Sequence, residues 1–410
     1  MSGVKTFLCL CLEDKVKRLS LSLLLLFSTL AYAGERVLYS FQGGTDGFRP
    51  DGPLVLDPAG NLYGTTVYGG ADGWGTVFEL SPDGQGGWSE TILYSFTGGA
   101  DGQQPATALT LDSHGNLFGT TPGPSSCSRY CGSVFELSPG GSGWTFTLLH
   151  AFRGKKDGGE VAGGLTMDTA GDLFGTTIGG GSKGYGTVFQ LSNSGSGWAL
   201  TTLHAFALDA DGGDPAGTLV LGDGTIYGVT LWGGAYGDGV FYRLSLDANG
   251  RWREKVLYSF KGGNNGAQVT GLISDQNGGL YGVSDTGNRH VFRFTQKQGG
   301  GWAKKNLYTF RGGGNGSPSG NVLVDQAGNL YGLASDGGGK RDGSLYKLTP
   351  QPDGKFVATR LYGFRGGTDG SVPVGPPIMD NAGNLYGVTL TGGGEGCGGN
   401  RCGTVFAFEP

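Results

Sequence analysis

One aspartate or asparagine recurs in seven glycine-rich segments of the chain, such as GGTDG around residue 46 and GGADG around residue 101. Such side chains could hold calcium, a hard cation that prefers carboxylate and carbonyl oxygens. Calcium needs several carboxylates at one point, however, and here each segment supplies one. The pattern therefore favours an Asx turn repeated seven times over a metal site. The seven residues are Asp46, Asp101, Asp157, Asp211, Asn265, Asn315 and Asp369.

Shortly after six of these seven positions, another residue enters the next predicted strand. It is polar in most copies and its identity changes from copy to copy. Turn chemistry does not require that variation, so contact with a ligand is one interpretation and a solvated rim is the other. A pair of carboxylates such as Glu160 and Asp214 could also act as general acid and base. The positions are Arg49, Gln104, Glu160, Asp214, Gln268 and Ser317.

A third set of candidates lies in loops that vary in length and content. Aromatic rings exposed there would stack on sugar rings or anchor a protein partner, or they could fold back over neighbouring strands. This set comprises Trp74, Tyr130, Tyr185, Trp232, Tyr236, His290 and the pair Lys340 and Arg341. His150 and His204 are expected to be packed strand residues, and His114 to lie in a turn on the other face. No phosphate loop, G-x-S-x-G motif or metal-spaced histidine pair occurs.

A repeat of just over fifty residues must position these candidates. The tetrad NLYG ends at Gly64 and recurs six times. The spacings between successive copies are 55, 56, 53, 54, 50 and 55 residues. The markers LYSF and GTVFEL recur with the same spacing. The chain has 87 glycines but no G-X-Y period, so the glycines are punctuation between short strands. Seven copies at this period indicate the blades of a β-propeller.

Each copy divides into four strands, which we letter a to d from the predicted axis outward. In the first copy these are GPLVLD, NLYGTT, GTVFEL and WSETILYSF. All carry apolar residues on both faces, as a sheet packed between two other sheets requires. In strand d, simple alternation places Ile92 and Tyr94 on one face and Leu93 on the other. This order brings the d-to-a and b-to-c loops, which carry the candidate residues, to the same face of the disc.

We therefore predict an all-β fold, a seven-bladed β-propeller with four antiparallel strands per blade. The chain starts its repeats with a lone strand d, ERVLYSF, and ends them with a strand c near Phe408. The N-terminal strand can therefore complete the last blade and close the ring, which leaves no frayed edge.

The first 33 residues differ in kind from the repeats. Basic residues precede a short apolar stretch that ends in Ala31-Tyr32-Ala33, the layout of a secretory signal peptide. A retained membrane anchor is the alternative, but the apolar stretch is short for a span. We predict a signal peptide over residues 1–33, a single propeller domain over residues 34–410, and a secreted or periplasmic monomer without membrane insertion.

Charge and cysteine content narrow the partners further. Cleavage after Ala33 would change the formal charge from −5 to −7, so the sequence offers no electrostatic footprint for nucleic acid. Four cysteines would remain, as the close pairs Cys127/Cys131 and Cys397/Cys402. In an exported chain such pairs predict two local disulfides, with zinc binding or free thiols as the alternatives.

The segment NLYGTTVYGGADGWGTVFEL and its copies resemble the GloVer-type tandem repeat of exported bacterial proteins. The resemblance covers nearly all of residues 34–410 and implies an exported propeller of unassigned activity, with no catalytic residues to carry over. Members often have a C-terminal surface-anchoring segment, whereas only Glu409 and Pro410 follow Phe408 here. The portion LVLDPAGNLYG also resembles strands of NHL-type propellers, which supports the strand order.

These observations lead to three hypotheses of function. The first is an exported, non-enzymatic binding module that holds a glycan or a protein partner on its loop-rich face, without a cofactor or metal. Its candidate residues are Arg49, Gln104, Glu160, Asp214, Gln268, Trp74, Tyr185, Trp232 and His290. The second is a lyase or hydrolase with acidic residues at the mouth of the central channel. The third is a structural or surface-display protein.

Overall fold

A computed structural model describes residues 34–123, 131–141, 143–161, 163–195, 197–263, 266–311, 316–338, 340–394, 397 and 402–410. Residues Gly34–Pro410 form one compact unit of seven antiparallel sheets. The predicted seven-bladed propeller with four antiparallel strands per blade is confirmed. In the part of the chain so described, no helical segment has the length and hydropathy that a bilayer crossing needs. The predicted signal peptide lies outside the described residues.

The first three blades follow an opening strand, and strand a is split in two in blades 1 and 3. The opening strand is β1 (Gly34–Ser40), followed by a 3-10 turn at Gly44–Asp46. Blade 1 contains β2 (Phe48–Pro50), β3 (Val55–Leu56), β4 (Leu62–Tyr68), β5 (Thr76–Pro82) and β6 (Trp88–Ser95). Blade 2 contains β7 (Thr110–Leu111), β8 (Leu117–Thr121), β9 (Ser133–Gly140) and β10 (Gly143–Ala151). Blade 3 contains β11 (Gly159–Val161), β12 (Thr166–Met167), β13 (Leu173–Gly179), β14 (Thr187–Asn193) and β15 (Trp198–Ala205).

The remaining blades have a continuous strand a. Blade 4 contains β16 (Gly213–Gly222), β17 (Thr225–Trp232), β18 (Val240–Leu246) and β19 (Trp252–Ser259). Blade 5 contains β20 (Ala267–Ser274), β21 (Leu280–Thr286), β22 (Arg289–Gln296) and β23 (Trp302–Phe310). Blade 6 contains β24 (Pro318–Val324), β25 (Leu330–Ala334), β26 (Ser344–Pro350) and β27 (Phe356–Gly363). Blade 7 contains β28 (Ser371–Met379), β29 (Leu385–Thr391) and β30 (Thr404–Glu409).

The N-terminal strand shares a sheet with the C-terminal strands. Strand β1 pairs antiparallel with β30, and the order of this sheet is β1-β30-β29-β28. Phe41, just after β1, is fully buried, and its N–H donates to the carbonyl of Gly403 at 3.1 Å. Strand β1 therefore occupies the d position of blade 7. That this pairing holds the ring closed stays a prediction, for which a test is given below.

The glycine of the NLYG marker makes room for an aromatic ring. A Cβ added at Gly64 in strand b would lie 2.5 Å from Cζ of Phe78 in strand c, closer than real Cβ atoms come to other atoms. The same relation joins a marker glycine to an aromatic residue of strand c in every blade. The further pairs are Gly119 with Phe135, Gly175 with Phe189, Gly228 with Tyr242, Gly282 with Phe292, Gly332 with Tyr346 and Gly387 with Phe406.

The LYSF marker contains a β-bulge that simple alternation does not predict. Tyr94 pairs with Val77 and Ile92 pairs with Phe78, so Leu93 is an extra residue between two consecutive partners. Because consecutive partners point to opposite faces of a strand, Ile92 and Tyr94 do not share a face. The sequence-based assignment of these two side chains to one face was therefore wrong. Register shifts occur at the equivalent place in the other d strands.

Candidate functional site

The d-to-a and b-to-c loops lie side by side on one face of the disc, which we call the loop face. Backbone hydrogen bonds join them within a blade. The N–H of Gly70 donates to the carbonyl of Gly44 at 2.8 Å in blade 1, and the N–H of Gly234 donates to the carbonyl of Asp209 at 2.7 Å in blade 4. The prediction that these two kinds of loop share a face is confirmed.

The recurring aspartates clamp their own loops. One carboxylate oxygen of Asp46 accepts the backbone N–H of Gln42 at 2.8 Å and the hydroxyl of Tyr39 at 3.2 Å. Asp101 and Asp369 make equivalent contacts with tyrosines of strand d. These hydrogen bonds account for the repeated carboxylate without a bound cation. Among the described residues, no three His, Cys, Asp or Glu side chains are grouped as a metal site. Asn265 and Asn315 lie outside the described residues.

Two histidines replace the clamping tyrosine, as their place in the LHAF copies of the LYSF marker predicts. His150 Nε2 lies 3.4 Å from the Asp157 carboxylate, and His204 Nε2 lies 3.4 Å from the Asp211 carboxylate. Burial lowers the pKa of both imidazoles, although the neighbouring carboxylate opposes that effect. Both histidines are therefore packed strand residues beside the aspartate of their own loop, and of the two only His150 Nε2 makes a hydrogen bond to it. His114 is exposed in an a-to-b turn beside Asp112.

Six residues that enter strand a adopt left-handed backbone angles, with φ between 51° and 58°. For a residue with a Cβ this conformation costs about 1–2 kcal/mol. It turns the backbone N–H toward the preceding blade: Gln104 donates to the carbonyl of Trp74 at 2.8 Å, and Asp214 donates to that of Tyr185 at 3.0 Å. A contact between blades thus explains the backbone strain and leaves the side chain free to vary. The six residues are Arg49, Gln104, Glu160, Asp214, Gln268 and Val372.

Between blades 3 and 4, predicted binding residues meet in one cleft. The blade 3–4 cleft has a volume of 690 Å³, and its side chains include Tyr185 from the b-to-c loop of blade 3 and Asp214 and Trp232 from blade 4. The two aromatic residues are 40% and 41% exposed, which is unusual for large rings in this fold. Glycine backbone from both blades completes the walls. The three side chains were proposed from separate sequence patterns, and only the fold brings them together.

Asp214 supplies the carboxylate that lines the cleft, and the predicted residue Glu160 lies near it but outside the lining. Burial raises the pKa of the Asp214 carboxyl, and burial together with the charge of Asp214 raises the pKa of Glu160. The two carboxylates therefore sense each other across the boundary between blades 3 and 4. No salt bridge to either residue occurs within the described residues. Their oxygens are thus available as hydrogen-bond acceptors for a neutral ligand.

A fourth side chain of the cleft, Leu208, was missed by the sequence reasoning. It is 37% exposed and adopts φ 61°, in the left-handed region that favours glycine. The other six copies have glycine at this position of the d-to-a loop. The sequence did contain a signal for this residue. When the seven loops are aligned on their repeated Asp or Asn, the residue three positions before it is glycine in six copies and leucine in one.

The exposure of Trp232 has a simple cause in the sheet. Its cross-strand partner in β16 is Gly213, which has no side chain to cover the indole. In blade 1 the equivalent pair is Phe48 and Tyr68, whose rings stack with centroids 5.2 Å apart. Blade 4 therefore leaves open a space that blade 1 fills with an aromatic ring.

Three other predicted residues lie outside the blade 3–4 cleft at separate places on the loop face. Trp74 packs on Gly98 of the next blade, where an added Cβ would lie 2.6 Å from the indole nitrogen. Arg49 is 3.6 Å from the carboxylate of Asp51. Gln268 has the left-handed backbone but does not line the cleft.

The assignment of His290 to a loop was wrong. The residue lies in β22, is 3% exposed, and its Nδ1 is 2.9 Å from the hydroxyl of Thr309. The reason is that His290 corresponds to Thr76 of blade 1 and Thr187 of blade 3, and all three residues lie at the start of strand c. Ser317 donates from its hydroxyl to Asp336 at 3.1 Å and is also nearly buried. Tyr130 lies outside the described residues.

A separate cavity of 1770 Å³ is lined by strand a of several blades and by a-to-b turns of blades 2 and 3. None of the nine predicted binding residues lines it. Its inner wall is rich in small residues because the a strands approach one another closely. A Cβ at Gly163 would lie 2.4 Å from the carbonyl of Gly217, and one at Gly375 would lie 3.2 Å from the ring of Pro53. The predicted binding residues therefore lie outside this cavity.

The described cysteines form disulfide bonds in loops between strands b and c. Cys397 and Cys402 form a disulfide in the b-to-c loop of blade 7, and the carbonyl of Cys402 accepts the N–H of Arg49 at 2.8 Å. Cys131 is also disulfide-bonded. Its predicted partner, Cys127, lies outside the described residues.

Comparison with families of known sequence identifies the repeat. The model of the Gloeobacter/Verrucomicrobia repeat matches residues 26–191 and 123–300, which together span more than half of the chain. The chain belongs to this family. The resemblance inferred from the repeated markers is thereby confirmed. No curated relative matches the chain in sequence.

Solved structures similar to this Gloeobacter/Verrucomicrobia repeat protein are distant in sequence. A candidate 6-phosphogluconolactonase from Bacteroides uniformis is 15% identical with a TM-score of 0.50, and the match covers 76% of this chain and 84% of that one. A candidate 6-phosphogluconolactonase from Bacteroides fragilis is 13% identical with a TM-score of 0.49, covering 80% and 86%. A gluconolactonase from Xanthomonas campestris is 14% identical with a TM-score of 0.42, covering 73% and 83%. At 15% identity, the similarity to the Bacteroides uniformis protein concerns the fold alone.

Proposed function

We propose that this protein is an exported binding module, secreted or periplasmic, that holds a carbohydrate in the blade 3–4 cleft. The observation that carries the proposal is the convergence of two exposed rings, Tyr185 and Trp232, with the carboxylate of Asp214 in one cleft. Its volume of 690 Å³ lies within the range of about 300–1,000 Å³ that is typical of small-ligand sites.

The chemistry of the cleft suits a sugar ring. An aromatic face packs against the C–H groups of a pyranose, and this contact is favourable because both surfaces leave water. The carboxylate of Asp214 accepts hydrogen bonds from hydroxyl groups, and such charge-assisted bonds are stronger than neutral ones. The glycines that line the cleft leave backbone N–H and carbonyl groups close to a ligand. The same carboxylate disfavours anionic ligands, including nucleic acid and phosphorylated sugars.

A glycan array probed with the exported full chain, followed by calorimetric titration of the best glycan, tests this proposal. Replacing Tyr185 and Trp232 together by alanine should lower affinity at least about tenfold, because two stacked rings contribute about 0.5–1.5 kcal/mol each beyond their buried area. Leu246→Ala with Val357→Ala is the matched control, since both residues are half exposed and lie away from the cleft. The control should bind like the wild type.

Three outcomes would overturn the proposal. One is the absence of glycan binding by the wild type. Another is equal binding by the aromatic double variant. The third is capture of a defined extracellular protein through the same rings.

A second candidate function, a lyase or hydrolase, draws support from the two carboxyls with raised pKa, Glu160 and Asp214. Cleavage of the bound glycan by the wild type, abolished by Asp214→Asn with binding retained, would favour that enzyme.

A further inference from the structure

Leu208 stands where the repeat otherwise requires glycine. The five described glycines at this position have φ between 61° and 78°, and Leu208 keeps the same left-handed conformation with φ 61°. A Cβ makes this conformation unfavourable, so the side chain is retained against a cost in backbone strain. Strained residues of this kind cluster at functional sites. The backbone itself gains nothing from leucine here, because its N–H makes the same bond to the end of the loop, to Gly212 O at 2.9 Å, that Gly98 and Gly154 make in blades 2 and 3.

Gly213 in the same blade leaves room for this side chain. A Cβ at Gly213 would lie 2.7 Å from Cδ1 of Leu208, so any larger residue at 213 would displace the leucine. The equivalent position holds Phe48 in blade 1 and Gln103 in blade 2, and glycine recurs there as Gly159 in blade 3. Gly213 is also the residue that leaves Trp232 uncovered. One glycine thus opens the cleft and admits an aliphatic wall beside the indole.

We propose that Leu208 makes the blade 3–4 cleft selective for sugars that carry a methyl group, such as 6-deoxyhexoses and N-acetylhexosamines. This inference rests on the proposed carbohydrate-binding function. Leu208 and Ile178 are the two aliphatic side chains that line the cleft. The isobutyl group of Leu208 faces the same space as Tyr185 and Trp232. A sugar methyl placed against it leaves water, whereas a bare hydroxymethyl group there loses hydrogen bonds to water without replacing them.

The test compares matched sugars on the wild type and on Leu208→Gly. D-Fucose (6-deoxy-D-galactose) is compared with D-galactose, and N-acetylglucosamine oligomers with glucose oligomers, by calorimetric titration. The wild type should prefer at least one methyl-bearing partner by about fourfold or more, the equivalent of one buried methyl group. Leu208→Gly should remove that preference while it retains binding of the unsubstituted sugar. Because glycine relieves the strained φ, the variant should melt no lower than the wild type.

Two further variants separate this inference from the proposed function. Leu208→Asn tolerates left-handed angles and should lose the preference in the same way. Leu208→Gly with Gly213→Phe copies blade 1 and should cover Trp232, which abolishes binding of every sugar. If the wild type binds sugars but Leu208→Gly keeps its preference for methyl groups, the role of Leu208 is wrong and the binding function stands. If no sugar of either kind binds, both are wrong.

Discussion

Three glutamates at one position of strand d lie half-buried between neighbouring blades. Glu90 faces Tyr39 and Asp46 of the preceding blade and loop, and its Oε1 is buried without a hydrogen-bond partner. Burial first, and then the charge of Asp46, raise its pKa from 4.5 to about 7. Glu254 is raised to about 7 by burial and by Asp211. Glu35 is raised to about 7 chiefly by burial. These carboxyls are best accommodated when they are protonated.

The stability of the protein should therefore fall as pH rises through neutrality. A folded pKa above the unfolded value means that each glutamate contributes stability below pH about 4.5, and this contribution is lost as pH rises through about 7. Glu90→Gln stays neutral at every pH. We expect the melting temperature of the variant to exceed that of the wild type at pH 8.5 and to change less between pH 5 and pH 8.5.

Two comparisons make this result specific. Glu254→Gln occupies the same position in blade 4 and should behave like Glu90→Gln. Asp223→Asn, in the exposed a-to-b turn of blade 4, should leave the pH profile unchanged. Parallel pH profiles for the wild type and both glutamine variants would contradict the account of buried, repelled carboxyls.

At the scale of elements, a glycine at the start of strand c sets the contact between blades. Gly186 has φ 89°, and an added Cβ would lie 2.2 Å from the carbonyl of Thr177 and 2.6 Å from Cδ of Pro215 in blade 4. The residue before that proline, Asp214, donates its N–H to blade 3. The same combination of glycine and proline occurs as Gly75 with Pro105, Gly343 with Pro373 and Gly403 with Pro50. This joint, rather than any side-chain ion pair, positions the blade 3–4 cleft.

Two glycines of one loop separate backbone strain from close packing. Gly184 has φ 93°, but an added Cβ there would meet nothing within 4 Å. Gly184→Ala should therefore lower the free energy of unfolding by about 1–2 kcal/mol. Gly186→Ala should cost about 1–3 kcal/mol more, because the blades must move apart. Chemical denaturation of both variants measures the difference, and equal losses would show that the contact at Gly186 yields without cost.

At the scale of the whole molecule, the N-terminal strand pairs with the C-terminal strand in the sheet of the last blade. Strand β1 covers the edge of β30, and the core between blades 7 and 1 combines Leu38 and Phe41 with Leu54, Phe78 and Val405. An uncovered edge strand is a template for unwanted pairing. The pairing therefore both satisfies the backbone of β30 and buries apolar side chains at the boundary between the two ends of the chain.

Deletion of residues 34–41 tests whether this pairing closes the ring. Loss of Phe41 alone removes a fully buried ring, a change that typically costs about 3–5 kcal/mol. We expect a lower melting temperature and aggregation through the edge of β30. A synthetic peptide of residues 34–43 should restore the melting temperature, whereas a scrambled peptide should not. A deletion variant that melts like the full chain, with no response to peptide, would refute closure through this strand.

The sequence by itself determined the number of blades, the four strands of each and the shared face of the variable loops. It could do so because glycine and aromatic markers repeat wherever a turn or a close contact repeats, as Gly64 does beside Phe78. It also separated the polar residues that vary, such as Asp214, from those that clamp loops, such as Asp46. Local contacts that recur in all seven blades leave a repeated pattern in the sequence, so they can be predicted from it.

Only the tertiary structure decided which variable residues act together. Tyr185, Asp214 and Trp232 come from two blades and meet across a joint that no single repeat contains. The bulge at Leu93 also depends on the pairing partners of strand d, which only the fold sets. A repeat specifies each blade through contacts that are near in sequence, whereas the cleft arises from contacts between blades. The exposure of Trp232 depends on its pairing with Gly213, and only the fold shows which residue lies opposite the indole.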